Sequence, residues 1–162
     1  MLHSTTVTTP LGTFRISADD RGLAEIILPG SRAGISAKMS AADSRSNVVL
    51  NLAAQQIREY CAGERTEFAI PLSITGTRFQ QQVWEIIRRI PYAGTMSYGE
   101  IARQLGDTAK ARAVGGAAHA NPLPLVIPCH RVIGADGSLT GFGGGINLKK
   151  RLLDLEKKYS GN

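Results

Sequence analysis

Residues 97–119 read Ser97-Tyr98-Gly99-Glu100-Ile101-Ala102-Arg103-Gln104-Leu105-Gly106-Asp107-Thr108-Ala109-Lys110-Ala111-Arg112-Ala113-Val114-Gly115-Gly116-Ala117-Ala118-His119, and this stretch decides the fold of the second half. Ser97 and Glu100 have the spacing of a capping box: the serine oxygen accepts from the backbone three residues on, and the glutamate reaches back to the cap. The helix that follows, through Ile101, Ala102 and Leu105, is short and stops at Gly106-Asp107. Thr108 is expected to cap a further helix from Ala109 to about His119. Two short helices across a tight glycine-containing turn form a helix-turn-helix pattern. An αα-hairpin inside an ordinary core has the same pattern, so both readings stand on the pattern alone. Apart from Lys110, Arg112, Val114 and His119, the second of these helices is alanine and glycine. Two adjacent glycines inside a helix cost roughly 1 kcal/mol each relative to alanine. A helix that keeps them lets something approach its backbone, either a nucleic-acid groove or a packed neighbouring helix.

Working outward, Phe79, Val83, Trp84, Ile86, Ile87 and Ile90 fall at helical spacing and predict an amphipathic helix ended by Pro91. Residues 72–77 read as a linker. Residues 3–28 place Val7, Phe14, Ile16, Leu23, Ile26 and Leu28 in short runs broken by Pro10-Leu11-Gly12 and Asp19-Asp20-Arg21-Gly22, which predicts a meander of about three strands. Residues 29–46 read as a long loop, residues 47–62 as a helix stopped by Gly63, and residues 66–71 as one more strand. On the far side, Leu148, Leu152, Leu153 and Leu155 make the apolar stripe of a last helix, Asn147 to Lys158.

The chain has 162 residues and a net charge of +6, from 19 Lys and Arg against 13 Asp and Glu. That length suits one medium domain or two small ones. The charge favours a polyanionic partner, nucleic acid before membrane, although a merely basic surface gives the same total. No apolar run is long enough to span a bilayer, and the start lacks the basic and apolar regions of a secretory signal. The expected compartment is the cytoplasm. With Cys61, Cys129 and three histidines at scattered spacings, the chain carries no tetrahedral zinc set, and neither a metal nor another cofactor is expected. Cys61 lies on an apolar helical face and reads as core.

Residues 121–133, Asn-Pro-Leu-Pro-Leu-Val-Ile-Pro-Cys-His-Arg-Val-Ile, carry the chemistry. Three prolines forbid a regular helix, so the segment is expected to be extended and rigid. Cysteine attacks carbon as its thiolate, and His130 and Arg131 supply proton-accepting or cationic groups beside Cys129. A free cysteine is also a common small core hydrophobe, and the residues by themselves leave both readings open.

The chain resembles the O6-alkylguanine-DNA alkyltransferases, also called methylated-DNA–protein-cysteine methyltransferases. The resemblance rests on Ile127-Pro128-Cys129-His130-Arg131-Val132 and the upstream Asn121-Pro122. It extends to Ala111-Arg112-Ala113-Val114-Gly115, Phe79-Gln80-Gln81-Gln82-Val83-Trp84, Ile90-Pro91-Tyr92-Ala93-Gly94 and Ser97-Tyr98-Gly99-Glu100-Ile101-Ala102. It covers roughly residues 75–158. It implies an α+β fold: a small N-terminal β-sheet plus helix, RNase H-like, over residues 1–74, and a C-terminal helical winged helix-turn-helix domain for DNA binding and alkyl transfer over residues 75–162.

The resemblance also implies a function: single-turnover transfer of the alkyl group of O6-alkylguanine, and of O4-alkylthymine, in double-stranded DNA to Cys129 by a monomeric protein. Cys129, His130 and Glu156 match a Cys–water–His–Glu relay, and Asn121 the asparagine that ties the active-site segment to the recognition helix. Arg112 matches the finger that fills the space of a flipped base, and Tyr98 the tyrosine that presses on the phosphate and meets the base. Ala111, Gly115, Thr77 and Ser97 are the other expected DNA contacts. Tyr98, Val132, Phe142 and Gly143 are expected to wall the base pocket, and Phe142 departs from the tyrosine common in the family by lacking its hydroxyl. Three rival readings remain: a helix-turn-helix regulator, a relative that binds the lesion without transfer, and a cysteine hydrolase.

Overall fold

The computed structural model describes residues 2–31, 44–142 and 144–160, with the side chains of residues 44–46 left undescribed. The expected loop over residues 29–46 therefore lies mostly outside the described residues, as does Gly143. The chain divides into two compact units, Met1–Thr75 and Gly76–Asn162.

In the first unit, strands β1 (His3–Thr9), β2 (Gly12–Ala18) and β3 (Leu23–Ile27) form an antiparallel meander in the order β1-β2-β3. The first turn needs its glycine: Gly12 has φ +120°, and a Cβ there would lie 2.7 Å from the Pro29 ring. Val7, Phe14, Ile16 and Ile26 are buried beneath α1 (Ser44–Cys61), which contributes Val49, Leu50, Ala53, Ile57 and Tyr60. Gly63 ends this helix with φ +79°, as its type predicts.

The strand expected over residues 66–71 does not form. One bridge, Leu23 to Leu72, joins this stretch to the sheet. The backbone of Ala69 is instead met by the α1 side chain of Gln56, whose Oε1 accepts from Ala69 N–H at 2.8 Å and whose Nε2 donates to Ala69 O at 3.1 Å. A side-chain amide has taken both groups that a strand ladder would use.

In the second unit, α2 (Arg78–Arg88) buries Val83, Trp84, Ile86 and Ile87. Its start is a full capping box between Thr77 and Gln80, so the supposed linker ends in a helix cap. A two-residue strand β4 (Met96–Ser97) leads into α3 (Tyr98–Gln104), which opens on the expected Ser97–Glu100 box. Gly106 at φ +89° makes the turn. The cap that follows is Asp107 rather than Thr108: its carboxylate accepts from Ala109 N–H at 3.0 Å and starts a 3-10 turn, Thr108–Lys110. Helix α4 (Ala111–His119) then begins at Ala111. The Trp84 indole N–H donates to Ala117 O at 2.8 Å and fastens α2 to α4. Strand β5 (Val132–Ile133) pairs in parallel with β4, Met96 against Val132 and Ser97 against Ile133. The last helix, α5 (Ile146–Tyr159), buries Leu148 and Leu152 as expected, and Lys149 and Glu156 with them. The architecture is thus the mixed α and β arrangement anticipated, with a small sheet and helix first and a helix-turn-helix second. Among the described residues no helix is long and apolar enough to cross a membrane.

Candidate active site and DNA interface

Residues 121–128 run without regular structure, and the three prolines account for this. Cys129–Arg131 then close into a single 3-10 turn, where the sequence pattern had implied an extended segment. The turn exists because Pro128 O accepts from Arg131 N–H at 2.9 Å. Asn121 organises the approach. Its Oδ1 accepts from Leu123 N–H, and its Nδ2 donates to Ile127 O, both at 2.8 Å. Ile127 O also accepts from Cys129 N–H at 2.7 Å, so Asn121 and the Cys129 backbone share one acceptor. Through its own N–H, Asn121 reaches Ala118 O in α4 at 3.3 Å. The Asn121 side chain thus braces the cysteine segment itself, and only the Asn121 backbone N–H meets the recognition helix, three residues earlier in the chain.

Cys129 is buried, at 9 % exposure, and His130 and Glu156 are fully buried. His130 Nε2 lies 2.6 Å from Glu156 Oε2. The same carboxylate accepts from Arg131 Nε and Nη2, each at 2.8 Å, and from Ala93 N–H at 3.0 Å. Burial opposes ionisation of Glu156, but hydrogen bonds from His130 and Arg131, with their charge, hold the carboxyl well below the usual carboxylate range. An anionic carboxylate only accepts, so Nε2 of His130 carries the proton and the ring's basic lone pair is on Nδ1. Burial pushes His130 below its ordinary value despite Glu156, which makes the ring a neutral base. Burial pushes the Cys129 thiol up, while the Asn121 side chain and the Lys149 charge pull it back. The resting pair is a thiol and a neutral imidazole.

Two charged residues here have roles that the sequence reading did not assign. Arg131 was expected to serve Cys129, but it is committed to Glu156, to Ile90 O at 2.7 Å and to the Tyr92 ring, 5.7 Å from its centroid. The cation coupled to Cys129 is Lys149. It is 1 % exposed, and its Nζ donates to Val132 O at 2.6 Å and Thr140 O at 3.4 Å. The signal was available: Lys149, Leu152 and Glu156 recur on one face of α5. A lysine on a helix is normally read as solvated, and that prior hid it.

A groove of about 470 Å³ brings the expected DNA-facing residues together. Tyr98, Ala111, Arg112 and Gly115 line it, joined by His119, Thr140 and Gly141. Tyr98 hydroxyl and Thr140 Oγ1 are 2.6 Å apart across it. Phe142 is half-buried and is not among these walls. Thr77 and Ser97 have their hydroxyls engaged as caps, accepting from Gln80 and Glu100 N–H. Two larger grooves, about 620 Å³ each, lie along α2 and α3 and beside α5, and neither holds an expected site residue.

The α4 glycines are not explained by packing. A Cβ at Gly116 would meet nothing within 4 Å, and one at Gly115 would only touch the Tyr98 ring at 3.8 Å. Among the described residues, then, no neighbouring helix requires glycine at either position.

Comparison with known proteins agrees with this arrangement. Residues 2–74 match the 6-O-methylguanine DNA methyltransferase ribonuclease-like domain, and residues 78–158 its DNA binding domain. The methylated-DNA–protein-cysteine methyltransferase of Mycobacterium tuberculosis is 57 % identical over 105 residues, and the matched stretch spans 65 % of this chain and 64 % of that relative's length. The constitutive enzyme of that name from Bacillus subtilis is 40 % identical over 97 % of this chain and 96 % of its own. The crystal structure of Mycobacterium tuberculosis OGT in complex with DNA superposes with a TM-score of 0.86 at 41 % identity, covering 97 % of this chain and 94 % of that one. With both domains matched in order and a relative aligned end to end, the chain belongs to the 6-O-methylguanine DNA methyltransferase family.

Proposed function

We propose that this protein repairs DNA directly, taking the alkyl group of O6-alkylguanine in a duplex irreversibly onto Cys129 in the cytoplasm, as a monomer. The observation that carries the reading is the buried Cys129–His130 pair with Glu156, whose carboxylate lies 2.6 Å from His130 Nε2 and orients the ring. His130 Nδ1 draws the thiol proton through water, and Sγ attacks the alkyl carbon. The S–C bond forms as the C–O6 bond breaks; the electron pair leaves with guanine, which then takes up a proton. The product is a thioether, whose C–S bond neither water nor an imidazole cleaves under ordinary conditions, so each molecule acts once. O4-alkylthymine presents the same alkyl–oxygen bond and is a second substrate.

A thiol cannot reach a stacked base, so the nucleotide must be extruded. Arg112, on the thin α4 surface beside Tyr98, Ala111 and Gly115, fills the vacated stack. Thr77 and Ser97 sit at helix starts, where backbone N–H groups favour phosphate. Tyr98 bounds the pocket, whereas Val132, which is fully buried, and Phe142, a ring without a hydroxyl, do not line the groove. The test is the intact mass of the protein after incubation with an O6-methylguanine duplex. Wild type is expected to gain one methyl group, localised to Cys129, and Cys129→Ser none; tight binding without a mass change would favour a non-catalytic lesion binder.

A further inference from the structure

The segment after β5 carries a hydroxyl that the transfer step does not use. Thr140 Oγ1 meets the Tyr98 hydroxyl at 2.6 Å, short for a hydroxyl pair. The phenol is the stronger acid, so it donates and Thr140 accepts. Both residues are held from behind. Tyr98 opens α3 directly after the Ser97 cap, and its ring lies against Gly115 of α4. The Thr140 carbonyl faces Lys149 Nζ, whose other bond is to Val132 O, three residues beyond Cys129. A line of hydrogen bonds therefore runs from the cysteine segment, through a buried ammonium and Thr140, to the tyrosine at the head of the helix-turn-helix.

We propose that Thr140 is a positioning residue for Tyr98: it accepts the phenol O–H and so holds the ring across the mouth of the groove, leaving the lone pairs of the phenol oxygen to meet the extrahelical nucleotide. This rests on the alkyl-transfer reading above. A phenol with no partner samples several orientations, and entry of the nucleotide would then bear the cost of ordering it. Thr140 removes that cost beforehand and keeps the groove at a fixed width between α4 and the Thr140–Gly141 wall.

The test is single-turnover repair of an O6-methylguanine duplex at limiting DNA by wild type, Thr140→Ser, Thr140→Val, Tyr98→Phe and the double variant Tyr98→Phe/Thr140→Val. Thr140→Ser is expected within twofold of wild type. Thr140→Val is expected to be slower by about three- to tenfold, the range that one neutral hydrogen bond converts to, with an unchanged thermal midpoint. The double variant is expected to be no slower than Tyr98→Phe alone, because either change breaks the same pair. Wild-type rates in Thr140→Val, multiplying effects in the double variant, or a serine variant as slow as valine would each overturn the proposal. A second readout needs no DNA. The Tyr98 ring resonance, identified by its loss in Tyr98→Phe, is expected to move in Thr140→Val and to stay in Thr140→Ser. Failure of wild type to gain an alkyl group would count against the transfer reading and leave the resonance test of Thr140 intact; an unmoved resonance in Thr140→Val would sink the positioning role by itself.

Discussion

Glu156 carries a charge into the interior of the second unit and is met there by Ala93 N–H, His130 and Arg131. Removing it strands the Arg131 guanidinium, which is 6 % exposed. Loss of one partner of a buried pair costs about 3–5 kcal/mol. Glu156→Gln is therefore expected to lower the urea midpoint of the second unit strongly, read from Trp84, the chain's sole tryptophan. The pH dependence has a definite sign. The Glu156 carboxyl is depressed below 4.5 and His130 below 6.5 in the folded protein, so each contributes stability that is present above its unfolded value and lost as pH falls. The wild-type midpoint should drop first below about pH 6.5, from His130, and further below about 4.5, from Glu156. The gap between wild type and Glu156→Gln should narrow from pH 5 to pH 3; a constant gap would show that the carboxylate is not held ionised. Reactivity follows the same imidazole. The falling limb of the transfer rate is expected below pH 6.5, and a limb above that value would exclude neutral His130 as the base.

At the scale of elements, α4 sets stability against function. Gly116 is exposed with open space around it, so Gly116→Ala adds helix propensity worth about 1 kcal/mol without a clash. The thermal midpoint is expected to rise by several degrees, and if DNA approaches this face the added methyl lowers affinity for duplex DNA at the same time. A rise in both would show that DNA does not approach this face. How far such elements could be read in advance depended on whether their signals were local. The Ser97–Glu100 box and the turn at Gly106 need only neighbours in sequence, and both form. Thr77 and Gln80 have the same spacing but were hidden in a stretch read as linker. The strand at residues 66–71 failed because Gln56, ten residues or more upstream, claimed the backbone of Ala69. Lys149 is a mixed case: its place on the face of α5 shared with Leu152 and Glu156 is a local signal, but the carbonyls it meets, of Val132 and Thr140, lie in another segment.

Taken over the whole molecule, the net charge is not shared. Residues 1–75 hold seven Lys and Arg against seven Asp and Glu, and residues 76–162 hold twelve against six, so the excess of +6 belongs entirely to the unit that contains α4 and Cys129. Arg131 and Lys149 are buried with Glu156, so much of the remaining positive charge faces solvent. Binding to duplex DNA should therefore weaken steeply with salt, by a slope of about 0.9 in log affinity against log salt for each phosphate neutralised. This slope separates two kinds of cation on the same element. Lys110 lies just ahead of α4 and rests over the Phe79 ring; if it meets a phosphate, Lys110→Ala should reduce the slope by about one. Arg112 lines the groove with Tyr98 and Gly115. If its guanidinium enters the base stack, Arg112→Ala leaves the salt slope nearly unchanged but slows duplex repair far more than reaction with free O6-benzylguanine, which needs no extrusion. Equal slowing on both substrates, or a slope reduced as much as by Lys110→Ala, would reassign Arg112 from the stack to the phosphate backbone.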